Sequence, residues 1–346
     1  MMPTKRIEYL DALRGFTMFL VVYTHVVNFS FHLGDVVSFN NILRNFFLSL
    51  FFFVSGFFAL KVENEQKWRD TFIYLKNKAV QLLIPTLVFG FLFCYNRYSL
   101  HEALGPAKGG YWFTFQLFLF ILFYVLTLKC FNLKIHSKRF DIIIIITSFI
   151  IYCISFSHVT IEKTQIGTDL FHYLGMKNWR YYAFFAYGVL VKKYFQEFKG
   201  LTNSNWMAFI IIAFFAIILF GDKITWSFWK PINMLLYGGL SIIVIFTFFE
   251  KYETSFISNT YMGYCMQYIG RRTLDIYMIH YFLLPRKLHI VGEFFTENIN
   301  PLIEFFTTTA VAILVMACCI VIGNIIRLSP QLAHYLLGAK IKKING

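Results

Sequence analysis

The sequence has few charged residues for its length. Only 14% of its 346 residues are Asp, Glu, Lys or Arg, whereas about a quarter of the residues in a typical globular domain are charged. Hydrophobic residues make up 58% of the chain and aromatic residues 21%, including 44 Phe. A soluble core cannot bury that much apolar surface, so the composition excludes an ordinary soluble domain and indicates an integral membrane protein.

Several motifs of soluble enzymes are also missing. The six cysteines form no C-x-x-C pair and lie in or beside apolar runs, which is typical of small buried side chains. The sequence contains no phosphate-binding loop, no H-E-x-x-H and no G-x-S-x-G, so neither hydrolysis at a metal nor a serine nucleophile elbow is supported. We therefore expect no metal site, and no internal repeat is evident.

The chain is strongly basic, with a formal net charge of +14 and a pI near 9.4. In a soluble protein this would suggest nucleic acid, because phosphate contacts need clustered Lys and Arg. Here the basic residues lie between apolar runs, so membrane topology explains them better. We expect membrane lipids, and not nucleic acid, as partners.

Ten segments have the length and apolarity of a membrane-spanning helix, which needs about 20 mostly apolar residues. The first resembles a retained span and not a cleaved signal peptide, because charged residues interrupt its apolar region and no small-residue cleavage site follows. The prediction is an all-α, polytopic membrane protein in which residues 1–346 form a single integral membrane domain. The predicted spans are 7–29, 42–61, 78–97, 111–131, 140–157, 180–194, 205–221, 231–249, 272–291 and 303–326.

The orientation follows from Lys and Arg, which accumulate in cytoplasmic connections. The two ends of the chain and the connections near 62–77, 129–139, 192–204 and 250–272 hold about twice as many of these residues as the opposite set. An even number of spans agrees with this distribution. We therefore predict that both termini lie in the cytoplasm.

Three ionisable residues, Asp11, Arg14 and His25, interrupt the first span. Such side chains cost roughly 3 kcal/mol each in the hydrocarbon region, so they normally face a bundle interior or a wet cavity. Arg14 and His25 are 11 positions apart, which is three helical turns plus about 20°, so they share a face at an axial separation of about 16 Å. Asp11 is close enough to Arg14 for an ion pair.

These residues have both structural and functional interpretations. Asp11 and Arg14 can form a purely structural pair at the inner interface, and a single histidine near the outer end of a span is often a packing residue. The shared face favours function, because one elongated molecule could reach both Arg14 and His25. Imidazole, with a reference pKa near 6.5, is well suited to remove a proton from an alcohol.

Other candidates occur later in the chain, each beside a structural alternative. Ser55, followed by Gly56, either packs helices together or lines the site. Trp112 belongs to an aromatic belt at the outer interface or to the acceptor side of a site. Arg271 is a topology determinant or an anion-binding residue. Tyr277 and His280, like Asp275, either pack within the bundle or line a channel.

Motifs spread over nearly the whole chain resemble the bacterial membrane-bound acyltransferase-3 family. "LDALRGFTMFLVVYTH" is similar to that family's hallmark of an Arg, ten residues and a His on the first span. "FFFVSGFF", "YWFTFQL", "FFAYGVLVKKY", "IGRRTLDIYMIH" and "LSPQLAHYLLG" resemble its later segments, in the same order. The approach to the third span departs from the family, because "LKNKAVQLLIP" has Lys76, Lys78 and Gln81 where relatives often carry Arg.

The resemblance implies ten spans and transfer of an acyl group, usually acetyl, from cytoplasmic acetyl-CoA or another acyl-CoA to a hydroxyl of an extracytoplasmic glycan or glycolipid. In these terms Arg14 and His25 are the essential pair, and His25 acts as general base or transient acyl carrier. Asp11 orients Arg14, and Ser55, Arg271, Tyr277 and His280 line the donor path or channel. No cofactor is bound, and the protein is expected in the bacterial inner membrane.

A secondary transporter of an anionic substrate or glycan precursor is the competing hypothesis, because intramembrane Arg, His and Asp also mark transport and proton pathways. The lack of evident inverted repeats counts weakly against it. A structural subunit of an envelope assembly fits the topology but gives the buried charges no task.

Overall fold

The computed structural model describes residues 7–34, 38–59, 67–97, 100–161, 173–226, 228–298 and 300–339. These ranges are mostly helical and contain no β-strand, as the composition predicts. The helices are α1 Glu8–His25, α2 Ser38–Arg44, α3 Phe47–Ala59, α4 Trp68–Arg97, α5 Leu100–Leu104, α6 Trp112–Cys130, α7 Lys138–Ile161, α8 Tyr182–Lys193, α9 Phe195–Thr202, α10 Trp206–Phe220, α11 Trp229–Lys251, α12 Tyr261–Arg271, α13 Thr273–Leu283, α14 His289–Glu297, α15 Pro301–Ile326 and α16 Pro330–Leu337. A π-helical turn covers Val26–Ser30, and 3-10 turns cover Lys108–Gly110, Met176–Tyr181, Gly221–Lys223 and Glu253–Phe256.

Eight helical segments of the described chain are long and apolar enough to cross a membrane. The shortest of them has 18 residues and extends about 27 Å, close to the roughly 30 Å thickness of the hydrocarbon region. Each of the eight falls on a predicted span, which confirms an all-α, multi-pass membrane protein. They are Glu8–Phe29, Phe39–Ala59, Trp68–Tyr95, Trp112–Cys130, Lys138–Ser157, Trp206–Lys223, Trp229–Lys251 and Pro301–Ile326.

The sixth and ninth predicted spans are shorter than expected. Helix α8 has 12 residues and α13 has 11, so each extends only about 16–18 Å. Helix α13 ends at Leu283 because Leu284 adopts an extended backbone and precedes Pro285, and a residue before proline disfavours the helical conformation. The predicted span 272–291 is therefore wrong after Leu283, where a non-helical connection leads to the separate helix α14.

The connection predicted at 250–272 is largely helical. Helix α12 begins after Thr260, whose hydroxyl caps it by accepting a hydrogen bond from the Gly263 N–H at 3.0 Å. Only Arg272, with φ of −110° and ψ of 15°, separates α12 from α13. The loop prediction is wrong here because α12 carries its apolar residues on one face and so contains no long apolar run.

The chain divides into two compact units, the first formed by residues 1–51 and 196–322 and the second by residues 52–195 and 323–346. In unit 1, α1 packs against α11, α12 and α13. Tyr9 of α1 meets Phe246 of α11 at a ring distance of 5.9 Å, and Tyr23 meets Phe305 of α15 at 6.1 Å. Most of α1 is buried, so it forms the core of this unit. The single domain over 1–346 stays a prediction.

Unit 2 contains most of α3, together with α4 to α8 and α16. Helix α4 packs against α6 and α16, and α7 packs against α8. An ion pair of 2.6 Å between Lys193 and Asp141 joins the ends of α7 and α8. The isoleucine-rich part of α7 is exposed, with Ile142 at 56% and Phe149 at 62%, as expected for a helix that faces lipid.

Candidate active site

The ionisable residues of the first span lie on one uninterrupted helix, α1. A guanidinium nitrogen of Arg14 lies 3.7 Å from a carboxylate oxygen of Asp11, so the predicted ion pair is confirmed. The Asp11 side chain is only 9% exposed, whereas that of Arg14 is 35% exposed. The guanidinium group of Arg14 is therefore accessible, whereas the carboxylate of Asp11 is buried.

Two glycines bring α12 against this part of α1. A Cβ atom on Gly15 would collide with the carbonyl group of Met266, and one on Gly270 would collide with the carbonyl group of Asp11. Only a residue without a side chain permits this approach, in which the two backbones touch. The contact fixes α12 beside Asp11 and places the break at Arg272 near the Arg14 level of α1.

A polar network closes the same end of unit 1. A carboxylate oxygen of Glu8, in the first turn of α1, accepts hydrogen bonds from the Ser258 N–H at 2.6 Å and from the Gln267 amide at 3.2 Å. Gln267 also donates to the Phe256 carbonyl group at 2.7 Å. These bonds hold the start of α1 and the turn before α12 together.

The break between α12 and α13 separates the two arginines that the sequence pairs. Arg272 approaches Asp275 at 3.3 Å, an ion pair within the first turn of α13. Arg271 is the last residue of α12 and is exposed. Arg14 reaches the same region, because its second guanidinium nitrogen lies 3.4 Å from the Thr273 hydroxyl oxygen. The side chains of Arg14 and Arg272 therefore both lie at the start of α13.

Helices α1 and α13 run in the same direction and meet twice. Near their N-terminal ends Arg14 contacts Thr273, and near their C-terminal ends the His25 Nδ1 atom lies 2.8 Å from the His280 Nε2 atom. Because Arg14 and His25 both contact α13, the prediction that they share one face of α1 is confirmed. The structure thus brings His25 and His280 together, a pairing that the sequence did not predict.

The two imidazole rings are nearly parallel and closely enclosed. Their planes differ by 8° and their centroids are 5.0 Å apart. His280 is completely buried, and its Nδ1 atom lies 2.8 Å from the Tyr277 carbonyl oxygen and 3.1 Å from that of Ile276. The Tyr281 hydroxyl lies 3.4 Å from the His25 Nε2 atom. Tyr277, predicted to line the channel, thus contacts His280 through its backbone oxygen.

The helix changes its winding directly after His25. Val26–Ser30 form a π-helical turn. Such turns are rare in proteins overall, and those that occur are frequently at functional sites. Its first carbonyl group, on Val26, accepts from the Phe31 N–H at 3.1 Å. The Asn28 side chain in this turn accepts from the Asn40 amide of α2 at 3.1 Å. This wider turn places Phe29 against the His25 ring at 5.5 Å.

Ser55 lies on the part of α3 that belongs to unit 2, and it is partly buried. The neighbouring Gly56 makes the close helix contact that its sequence suggested, because a Cβ atom there would collide with the Phe185 carbonyl group of α8. Gly188 of α8 reciprocates against the Phe53 carbonyl group. The packing interpretation of this segment is confirmed, and a site-lining role for Ser55 stays a prediction.

Trp112 is the first residue of α6, also in unit 2, and is partly buried. Its ring lies 6.4 Å from those of Phe52 and Tyr181. Tyr111, the neighbour of Trp112 in the sequence, is completely buried, and its ring lies 6.2 Å from that of Phe89. Tyr111 is therefore a packing residue, and the acceptor-side role of Trp112 stays a prediction.

A buried lysine precedes α6. Lys108 has a positive φ of 50°, is only 8% exposed and donates to the carbonyl groups of Leu104 at 2.9 Å and Tyr173 at 3.1 Å. Its ammonium group also lies 4.6 Å from the centre of the Phe115 ring. Burial lowers the pKa of Lys108 below its usual range, because the charged form loses hydration. Lys108 lies outside the long spans, and its hydrogen bonds hold the connection between α5 and α6 in place.

Sequence reasoning missed several residues of unit 1 that shape the site. Thr273 and Tyr281 each precede an ordinary apolar residue, and their contacts with Arg14 and His25 arise only from the packing of α13 on α1. Gly15 and Gly270 carried a usable signal, since small residues in apolar helices commonly mark close contacts. The asymmetric burial of Asp11 and Arg14 has no sequence signal.

Together these features define a multi-pass membrane protein in which a histidine pair and an accessible arginine lie where two parallel helices of one unit meet. The model of the acyltransferase-3 family, described as an acyltransferase domain, matches residues 7–324, and the chain therefore belongs to this family of acyltransferases. The matched range contains every residue of the site described above. Searches of curated proteins and of solved structures gave no match.

Proposed function

We propose that the protein transfers an acyl group, most simply acetyl, from a cytoplasmic acyl-CoA to a hydroxyl of an extracytoplasmic glycan or glycolipid. It acts in the inner membrane of a bacterium with both termini in the cytoplasm. The observation that carries the proposal is the 2.8 Å contact between His25 and His280 inside an acyltransferase domain. Imidazole is the side chain best matched to proton transfer from an alcohol near neutral pH.

Arg14 supplies the site for the anionic donor. An arginine in the hydrocarbon region costs about 3 kcal/mol on insertion scales, whereas a helical ion pair such as that with Asp11 contributes only about 0.2–0.5 kcal/mol. The pair alone gives a poor structural reason for the arginine. With 35% of its side chain exposed, the guanidinium group is accessible to the phosphates of an acyl-CoA.

His25 performs the chemistry by one of two balanced routes. In direct transfer, its ring takes the proton of the acceptor hydroxyl while the oxygen attacks the thioester carbonyl carbon. The carbon–sulfur bond then breaks, and the leaving thiolate recovers the proton as free CoA. In the covalent route, the ring nitrogen attacks the thioester carbonyl carbon, the carbon–sulfur bond breaks and CoA leaves as the thiolate. The acceptor hydroxyl then attacks the acyl carbon, and the carbon–nitrogen bond breaks to free the imidazole. The proton lost by the hydroxyl balances the proton that the thiolate takes up.

The remaining predicted residues complete the proposal. We assign Arg271 to the cytoplasmic mouth, and Ser55 and Tyr277 each to the lining of the donor path. We assign Trp112 to the acceptor side, where its indole ring would offer an aromatic surface for the apolar face of a sugar. Membrane lipids surround the protein, and no bound cofactor is required because acyl-CoA is consumed as a substrate.

The test is release of free CoA from acetyl-CoA by the purified chain in liposomes, with crude bacterial envelope glycans as acceptor. His25→Ala should lower turnover by about 10²–10⁴-fold, the usual contribution of a positioned acid or base. His136→Ala, at an exposed histidine between α6 and α7, is the matched control and should turn over like the wild type. Each protein is first shown to be folded by its elution from size exclusion.

Labelled CoA separates the two routes. Exchange of labelled CoA into acetyl-CoA without acceptor, abolished in His25→Ala, supports the covalent route, and its absence in an active enzyme supports direct transfer. If folded wild type consumes no acetyl-CoA or other acyl-CoA with any envelope fraction, the proposed reaction is wrong. Transport of a glycan precursor by the same liposomes is then the next assay.

A further inference from the structure

The hydrogen bonds of His280 fix where its ring carries a proton. Its Nδ1 atom faces two backbone carbonyl oxygens, of Tyr277 at 2.8 Å and Ile276 at 3.1 Å. A carbonyl oxygen can only accept a hydrogen bond, so Nδ1 must donate. The neutral His280 ring therefore holds its proton on Nδ1 and has a lone pair on Nε2.

This arrangement determines the protonation of His25 in turn. The lone pair of His280 Nε2 lies 2.8 Å from the Nδ1 atom of His25, and two lone pairs at that distance would repel. His25 must therefore donate from Nδ1, and its own lone pair lies on Nε2. With both rings neutral, no other assignment of protons satisfies all three contacts.

The surroundings of His25 Nε2 suit an incoming substrate. The Tyr281 hydroxyl lies 3.4 Å from this nitrogen, longer than the 2.5–3.0 Å of a well-formed bond from a hydroxyl. The ring itself is held between Phe29 and Tyr281, at centroid distances of 5.5 and 4.9 Å. An acceptor hydroxyl or a thioester carbon that approaches Nε2 would therefore displace no strong hydrogen bond.

Resting on the function proposed above, we propose that His280 is a positioning residue. Held by the Tyr277 and Ile276 carbonyl groups, it keeps His25 in the Nδ1–H form and so assigns Nε2 as the nitrogen that receives the acceptor's proton or the acyl group. When Nε2 gains either, positive charge develops on the His25 ring. The Nδ1–H bond to His280 then strengthens, because bonds from charged donors are about twice as strong as neutral ones.

A histidine performs this task differently from a carboxylate. In the Ser-His-Asp arrangement a buried aspartate orients the histidine and stabilises the imidazolium. A carboxylate in the place of His280 would have to be ionised inside the membrane, whereas the neutral His280 ring introduces no buried charge. Its completely buried position is therefore compatible with the hydrocarbon environment.

The tautomer is measured directly by ¹⁵N NMR of histidine-labelled protein in nanodiscs, with the His25 signals identified by their loss in His25→Asn. We expect a protonated Nδ1 and an unprotonated Nε2 at His25. In His280→Leu the preference should be lost and the proton should move to Nε2. A wild-type His25 that carries its proton on Nε2 would overturn the proposal, whether or not the enzyme is active.

Kinetics test the consequence for catalysis. His280→Gln keeps an acceptor oxygen near the place of Nε2 and should retain kcat within about tenfold, while His280→Leu should lower kcat by about 10²-fold or more with an unchanged KM for acyl-CoA. Equal losses in folded His280→Gln and His280→Leu would refute the positioning role. If the expected tautomer is found but wild type consumes no thioester, the proposed function fails and the proton assignment stands.

Discussion

Replacing Gly270 by alanine tests the contact that holds α12 on α1. An alanine Cβ atom at this position would lie 2.9 Å from the Asp11 carbonyl carbon and 3.1 Å from the Gly15 nitrogen. Carbon atoms pack at about 3.5–4.0 Å, and the Asp11 carbonyl oxygen would lie closer still to the new Cβ atom, so the helices must separate by at least about 1 Å. A gap of that size forfeits about half or more of the dispersion energy across the contact.

The expected cost is about 1–3 kcal/mol, the usual range for overpacking. It should be near the upper end because the opposing atoms are backbone and cannot rotate away. The measurement is the free energy of unfolding in mixed micelles, followed by the ellipticity of the helices. Arg14 and Thr273 lie next to this contact, so the KM for acyl-CoA should also rise.

Gly239→Ala is the matched control. Gly239 is a helical glycine of the same unit, and a Cβ atom there would meet nothing within 4 Å. Alanine at such a site should leave stability unchanged or raise it by up to about 1 kcal/mol, since glycine disfavours helix. If Gly270→Ala and Gly239→Ala have the same stability, the backbone contact does not hold the helices and the reasoning is wrong.

Two further predictions concern Arg14 and Lys108. Arg14→Ala should raise the KM for acetyl-CoA by about 10- to 150-fold, equivalent to losing a charged hydrogen bond of about 1.5–3 kcal/mol. The KM for S-acetylpantetheine should stay unchanged, because this shorter thioester has no phosphates. An equal rise in KM for both donors would exclude phosphate binding by Arg14. Burial lowers the pKa of Lys108, so between its folded pKa and about 10.4 the unfolded chain binds more protons, and stability should rise with pH across that window. Unfolding midpoints of wild type and Lys108→Met, compared as pH increases, should therefore shift in favour of the wild type, and parallel curves would show that Lys108 does not titrate in this way.

Much of the fold follows from apolarity alone. Membrane spans must satisfy their backbone groups internally, so an apolar run of sufficient length in lipid is a helix. This rule located the eight long segments. It failed where length and apolarity were not decisive, at the short α13 and at α12, whose apolar residues lie on one side only. Packing against α1 stabilises both α12 and α13. The pattern of apolar residues along one segment does not show which other helix that segment packs against.

The candidate site was predictable to the extent that one helix contains it. The spacing of Arg14 and His25 predicted their common face because helical geometry is regular. The partner of His25 was not predictable in this way, since His280 lies 255 positions away and is one of several polar residues on its segment. The carbonyl groups of Tyr277 and Ile276 that orient His280 belong to the backbone. Every residue has such a group, so the sequence does not show which ones act in this way.

The distance in sequence between the two halves of the histidine pair has a consequence for biosynthesis. The first helix enters the membrane with Arg14 and His25 long before α13 exists. At about 5–20 residues per second, synthesis of the intervening 255 residues takes about 13–50 s. During that interval the insertion machinery, or another part of the nascent chain, must shelter polar side chains whose final neighbours have not yet been made. Every chain cut short before residue 273 lacks both Thr273 and His280, so only nearly complete chains can become active, and incomplete ones present exposed intramembrane charge to quality control.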